Sequence, residues 1–504
     1  MNQLKAGAVI SYLTIFISNI IGLLYTPFML RMMGQDEYGL YSLVASVVAY
    51  LTVLDLGFGN ALIRYTAKFR AEGETEKLKK MFGMFLLMFS FIGVVALIAG
   101  LILSFNVENI FKAKMTYEEL HKVRIMMILM TANLAVTFPL SIFGSIITAY
   151  EKFIFQKSVV LIRTILNPVV MIIMLFMGYK AIGMVVIITL FNIVTLIANT
   201  WFCLRKLKIE ISFGAIEQGF FKEVSIYSFW IFLSVIIDKI YWSTGQFVLG
   251  IYQGATSIAI YAVSIQLVFM YMNFSKAISD LFLPKVTTLI TQSNDRKLVS
   301  DLFIKVGRLQ YIVICFILIG FVIFGKPFIE LWAGRDYSQA YYITLILFIP
   351  LTIPLIQNLG IIILQADNKM KFRSILYIII ALASFGLSLP LAKLYSGIGC
   401  AVAVACALFL GHVVIMNLYY SQKIKIDILS FWMEISKMSI APVIYGFAAW
   451  LLLSRFALTK LSVLIGSIVI FSVIYIPIAW FFVINKEEKH IVITGVRKIF
   501  FKQL

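Results

Sequence analysis

Apolar residues run along this chain in long unbroken blocks, separated by short polar segments. The blocks exceed the roughly 18 residues that divide a membrane-spanning helix from a core helix. Fourteen candidate spans follow: 8–29, 39–63, 83–104, 122–149, 159–177, 181–203, 229–250, 258–283, 309–329, 340–366, 375–393, 398–420, 438–454 and 461–484. Inside hydrocarbon every backbone amide and carbonyl must find its partner within the structure, so segments of this length are helices. The ten-residue alternation of a barrel strand is absent. The pattern therefore predicts an all-α polytopic membrane protein with about 14 transmembrane helices. The first span lacks a small-residue cleavage site after a short apolar core, and reads as a retained helix rather than a signal peptide.

Composition agrees, with 62% hydrophobic and 13% charged residues among 504. Charge then sets the orientation. If the N-terminus is cytoplasmic, 29 of the 43 basic residues fall in inner loops and tails and 11 in outer ones. Both termini are thus expected inside. The net charge of +19 is mostly this inner bias plus attraction to anionic membrane lipids, and needs no nucleic acid to explain it. Three basic residues remain, Arg163, Lys239 and Lys276, and these lie within spans. A charge in the bilayer centre costs about 2.5–3.5 kcal/mol even on the lenient insertion scale, so such residues are functional candidates.

The chain also repeats itself. "GSIITAYEKFIFQKS" (144–158) aligns without a gap to "GIIILQADNKMKFRS" (360–374), and "GQDEYGLYSLVAS" (34–46) to "GATSIAIYAVSIQ" (254–266). Two copies of a six-span unit in the same orientation are implied, related by an axis along the membrane normal. The expected organisation is an N-terminal lobe over 1–208, a C-terminal lobe over 209–424, and two extra spans with a basic tail over 425–504. Transporters built this way put their site between the halves.

Polar residues inside the spans point to such a cavity. The eighth span carries Gln266, Asn273, Lys276 and Asp280 on one helical face. The seventh carries Ser234, Asp238, Trp242 and Gln246 at spacings of four, with Lys239 and Ser243 on the adjacent edge. The first adds Ser11, Ser18 and Asn19, and the second adds Asp55. Asp238 and Lys239 project about 100° apart and cannot pair face to face, so Lys239 is expected to face the cavity. Structural readings stand beside each of these. Asp238 and Lys239 could each fix interhelical packing, Lys276 and Asp280 could satisfy each other one turn apart, and Arg163 lies near enough to the inner surface to snorkel. Asp55, Asp238 and Asp280 are the candidates for ion coupling.

Other chemistry is thin. Cys203, Cys315, Cys400 and Cys406 lie in spans without metal spacing and read as small hydrophobes. His121, His412 and His490 are scattered, so neither a metal site nor a cofactor is expected. "GFGNAL" (57–62) lacks the third glycine and the preceding strand of a dinucleotide loop, and no GxxxxGK[ST] phosphate loop is present.

"MGQDEYGLYSL" (33–43), "LDLGFGNALIRYTAKF" (54–69) and "LQADNKMKFRS" (364–374) resemble the Wzx-type flippases, the polysaccharide-exporting branch of the multidrug/oligosaccharidyl-lipid/polysaccharide superfamily. The resemblance covers nearly the whole chain. It implies two six-helix lobes around a central cationic cavity, alternating access, and a cargo of polyprenyl-pyrophosphate-linked oligosaccharide moved to the outer leaflet of the bacterial cytoplasmic membrane. Polysaccharide polymerases or glycosyltransferases are the expected partners. Relatives that flip the peptidoglycan precursor place arginines on the first helix, which here is uncharged through the bilayer. On this reading Lys239 binds headgroup phosphate, Lys276 and Arg163 support it, and Asn19, Asn273, Trp242 and Gln246 contact the saccharide. Two rivals remain: a cation-coupled drug or metabolite antiporter of the same superfamily, and a membrane glycosyltransferase or polymerase. The antiporter would want carboxylates in its cavity, and the enzyme a sizeable exterior loop bearing acids or histidines.

Overall fold

The computed structural model describes residues 3–214, 218–292, 296–367, 369–456 and 458–490. Among them there is no strand. The helices are α1 (Gln3–Met33), α2 (Gln35–Leu51), α3 (Phe58–Glu72), α4 (Thr75–Phe105), the short α5 (Val107–Phe111), α6 (Tyr117–Ala149), α7 (Phe153–Phe176), α8 (Ala181–Trp201), α9 (Gln218–Tyr252), α10 (Ala255–Gln292), α11 (Arg296–Trp332), α12 (Gln339–Ile356), α13 (Leu359–Ala366), α14 (Met370–Leu408), the short α15 (Met416–Tyr419), α16 (Ile428–Leu453) and α17 (Leu461–Ile478).

Thirteen helical stretches among the described residues are long and apolar enough to cross a membrane. One of them, Met370–Ile424, has 55 residues. At 1.5 Å per residue it would be about 80 Å long, far beyond a bilayer. Its backbone leaves the helix at Ser396 (φ 52°, ψ −136°), between the two spans expected at 375–393 and 398–420. Divided there, it supplies two stretches of span length, which makes fourteen among the described residues.

Helix ends follow local chemistry. Thr116 and Glu119 form a reciprocal capping box at the start of α6, and the Asp427 carboxylate accepts the Ser430 amide at the start of α16. Glycine serves where the chain turns left-handed, as at Gly34 (φ 85°) and Gly254 (φ 96°). These two open the second pair of aligned segments, and each directly precedes a helix, α2 and α10. The other aligned pair likewise shares a local structure, in which α6 turns into α7 and α13 into α14.

The chain divides into two compact units. The first comprises residues 1–262 with 388–397, and the second 263–387 with 398–504. In the first unit α6 packs on α4 and α8, α7 packs on α1, and α9 lies against α2 and α3. Its core is aromatic, with Tyr65, Phe82, Phe85 and Phe89 buried among α3, α4 and α6. In the second unit α11 is central and packs on α12 and α16. Grouping by packing takes α9 with the first unit, whereas the lobe boundary expected after residue 208 follows chain repetition.

Candidate functional site

In the first unit, one apolar stretch, Gln35–Glu72, is broken in its middle. A 3₁₀ turn at Thr52–Asp55 is followed by left-handed Leu56 (φ 52°) and Gly57 (φ 76°). A β-carbon at Gly57 would sit 2.8 Å from the Ser228 carbonyl oxygen of α9, so both the turn and the close approach call for glycine. Past the break the Asp55 carboxylate accepts the backbone N–H groups of Gly57 and Gly59. It therefore caps α3, where unpaired amides and the helix dipole favour negative charge.

Against this broken helix lies α9. Tyr50 and Thr244 share a 2.6 Å hydrogen bond between hydroxyls, and the Tyr65 hydroxyl donates to Glu223 at 2.9 Å. The Arg64 guanidinium lies 4.6 Å from the Tyr227 ring centroid, a cation–π contact. The buried face of α9 is Val224, Ser228, Ile237, Tyr241, Thr244 and Val248. Lys239 is half-buried and points off that face, two residues or about 200° around the helix from Tyr241. Among the described residues no carboxylate lies within ion-pair distance of Lys239. Asp238 is exposed, and Trp242 and Gln246 are half-buried.

A second cation lies among α6, α7 and α8. The Arg163 Nη1 donates to Asn192 Oδ1 at 3.3 Å. Asn192 Nδ2 in turn donates to Asn133 Oδ1 at 2.9 Å and to Thr137 Oγ1 at 2.7 Å. Sequence left two readings of Arg163 open, a snorkelling cation and a supporting cation for the cargo. Its helix begins at Phe153, six residues before the expected span, so Arg163 lies about 15 Å inside the helix start, near its middle. Its guanidinium is turned to Asn192. The asparagines escaped the sequence reading, although lone amides in spans as apolar as 117–149 and 181–201 were the available signal. Asn19 on α1 is half-buried.

At one end of this unit the turns between helices meet. The Thr256 hydroxyl donates to Asp36 at 2.7 Å. Gln253 donates to the Ala392 carbonyl at 2.9 Å, and Ser396 to Ser257 at 3.1 Å. A β-carbon on Gly39 would lie 2.0 Å from the Ala255 carbonyl oxygen, so α2 and the start of α10 touch backbone to backbone. A cavity of about 400 Å³ opens beside them, lined by Asp36, Glu37, Glu119, Lys122 and Lys180 among others.

In the second unit Asn273 and Lys276 are exposed on α10, and Gln266 is half-buried. Lys276 lies inside α10, sixteen residues before its end at Gln292, and no ion pair holds it among the described residues. The side chain of Asp280 lies outside the described residues. Ser275, one residue before Lys276, is buried and donates to the Leu355 carbonyl at 2.6 Å. Gln310 donates to both Ser275 and Ser279, so this face of α10 is a packing seam. Arg308 of α11 is buried. It reaches Glu488 at 2.8 Å, Glu434 at 2.6 Å and the Val483 carbonyl at 3.2 Å.

Three solved structures resemble most of the chain. A protein titled "Lipid II flippase MurJ, inward closed conformation" has 19% identity and a TM-score of 0.70, covering 93% of this chain and 98% of that one. An inward-facing multidrug resistance transporter of the MATE family, within the MOP superfamily, has 11% identity and a TM-score of 0.69, over 83% and 94%. A MOP transporter from Pyrococcus furiosus Vc1, titled for the reverse polarity of its binding pocket, has 13% identity and a TM-score of 0.55, over 86% and 94%. At these identities the likeness shows the fold, which is the MOP transporter fold. No curated protein matches the sequence significantly. Residues 4–284, more than half the chain, match the model of a family described as "Polysaccharide biosynthesis protein", and the chain belongs to that family.

Proposed function

We propose that the protein is a flippase that moves polyprenyl-pyrophosphate-linked oligosaccharide from the inner to the outer leaflet of the bacterial cytoplasmic membrane by alternating access. The observation that carries this reading is Lys239, half-buried on a membrane helix with no carboxylate in ion-pair reach among the described residues, in a chain of a polysaccharide biosynthesis family. An uncompensated ammonium at that depth suits an anionic ligand. A saccharide head cannot cross hydrocarbon, because its hydroxyls would lose their hydrogen bonds. Its pyrophosphate needs cations, while Trp242, Gln246, Asn19 and Asn273 offer a ring face and amides for the sugars. Lys276, exposed on α10, is on this reading a supporting cation for the headgroup.

The membrane potential is one source of energy for the step, and counter-transport of a cation is the other. An inside-negative potential favours outward movement of an anion by about 2.3 kcal/mol per charge per 100 mV. Asp238 is the candidate for coupling to a cation, since the Asp55 carboxylate is held by backbone amides. The protein is a carrier on this reading, not an enzyme, and works beside the polymerase or glycosyltransferases that make and use its cargo. Membrane lipids surround it, and nucleic acid has no part.

Export of surface polysaccharide in cells lacking their own exporter tests the reading. Lys239→Ala should lower export at least tenfold at equal abundance, and Lys239→Arg should retain part of it. Unchanged export by the alanine variant removes Lys239 from the site. Proton- or sodium-coupled drug efflux by the purified protein, without movement of lipid-linked saccharide, would put the antiporter in place of the flippase.

A further inference from the structure

Three observations single out Arg163. The first is depth. Arg163 is the eleventh residue of a 24-residue helix, Asn192 the twelfth of 21, and Asn133 the seventeenth of 33. All three side chains leave their helices close to mid-span. The register of α1 against α7 adds a fourth helix at this level. Gly7 lies against Phe153 and the Phe28 ring lies 5.5 Å from Phe176, so the two helices run parallel with an offset near 147 residues. That brings Ser18 and Asn19 level with Ile165 and Leu166, within a turn of Arg163.

The second is the direction of the hydrogen bonds. The Thr137 hydroxyl donates to the Asn133 carbonyl at 2.7 Å, so its oxygen is free to accept from Asn192. Both amide hydrogens of Asn192 are then used, on Asn133 and Thr137. This fixes the orientation of the amide and leaves its carbonyl oxygen facing Arg163. The guanidinium has five N–H donors, and one of them meets that oxygen. The relay holds the cation in place without neutralising it.

The third is the absence of acid. No Asp or Glu occurs in α1, in α7 or in α8, and α6 has only Glu118 and Glu119 in its first turn. No carboxylate on these four helices reaches mid-span. A planar fork of unused donors, pinned by neutral amides, matches the two oxygens of a phosphate or carboxylate.

We propose that Arg163, seated on Asn192, Asn133 and Thr137, is an oxyanion-binding site near the membrane midplane within the first unit, separate from Lys239, and that it takes the phosphate or an acidic-sugar carboxylate of the cargo head. The site rests on the flippase reading for its ligand, but not for its existence. Site and cargo are therefore tested separately.

The test uses the full-length protein in lipid nanodiscs, with thermal stabilisation by inorganic pyrophosphate, glucuronate or chloride as the binding readout. Arg163→Gln should weaken oxyanion binding at least tenfold, and Arg163→Lys should keep part of it. Asn192→Asp is the decisive variant, because it keeps the shape and puts a carboxylate against the guanidinium. It gives up the two N–H bonds to Asn133 and Thr137 in exchange for an ion pair with the guanidinium, so it is compared at equal folded abundance, where it should abolish the Arg163-dependent oxyanion binding and lower export. Lys239→Ala should leave the Arg163-dependent stabilisation in place. Pyrophosphate acting alone assigns the site to the phosphate end of the cargo, and glucuronate acting alone assigns it to an acidic sugar. Binding of chloride only, or oxyanion binding unaltered by Asn192→Asp, overturns the proposal. Oxyanion binding that depends on Arg163 in a protein that moves no lipid-linked saccharide would retain the site and dismiss the cargo.

Discussion

Arg163 and Arg308 are both arginines on membrane helices, and their surroundings are opposite. Arg308 is 6% exposed and meets two carboxylates and a backbone carbonyl. Glu488, 1% exposed, is itself fixed by a reciprocal pair of bonds with Asn485. The Arg308 Nε and both terminal nitrogens are bonded, and the result is a clasp that ties α11 and α16 to the segment after α17. Arg163 has an amide oxygen and nothing charged. A cation that the protein neutralises holds the fold together, whereas one that it only positions is left to bind something else. Lys239 belongs with Arg163 in this respect.

Variants can break or sharpen this contrast. The largest effect is expected for Arg308→Ala, which leaves Glu488 buried without its cation. Removing one partner of such a pair costs about 3–5 kcal/mol. Unfolding midpoints and membrane abundance should fall steeply, and export only in proportion to abundance. A normal melting profile would erase the distinction between the two arginines. Lys239→Ala should do the reverse, lowering export tenfold or more, which corresponds to about 1.4 kcal/mol, while leaving the melting temperature within a degree or two. A parallel loss of stability would move Lys239 into the structural class.

Glu434→Gln should cost less than Arg308→Ala, about 1 kcal/mol or below. That carboxylate is 37% exposed, so solvent screens it, and Glu488 still neutralises the arginine. A loss as large as that of Arg308→Ala would show that the clasp works only as a triad. The smallest change is expected for Asp55→Asn, because asparagine caps a helix nearly as well as aspartate. Stability should fall by less than about 1 kcal/mol, with export unchanged if the carboxylate serves only the first turn of α3. Loss of export at unchanged stability would return Asp55 to ion coupling.

The membrane passes were legible because hydrophobic length is a local sum. Each span declares itself within some twenty residues, and even the division of the 55-residue stretch was marked by the polar segment around Ser396. Depth was less legible. The polar residues of "EKFIFQKS" hide the first turns of α7, so Arg163 reads as near the start of its span from sequence and lies near the middle of its helix in the folded chain. What each charge does was hardly legible at all. Arg308 finds Glu434 and Glu488 at separations of 126 and 180 residues, and no window along the chain contains such a pair. The sequence by itself determined where the chain crosses the membrane, since transfer free energies add residue by residue. Only the tertiary structure decided which cations are neutralised and which remain available, since electrostatic pairing acts through space over a few ångströms and takes no account of distance along the chain.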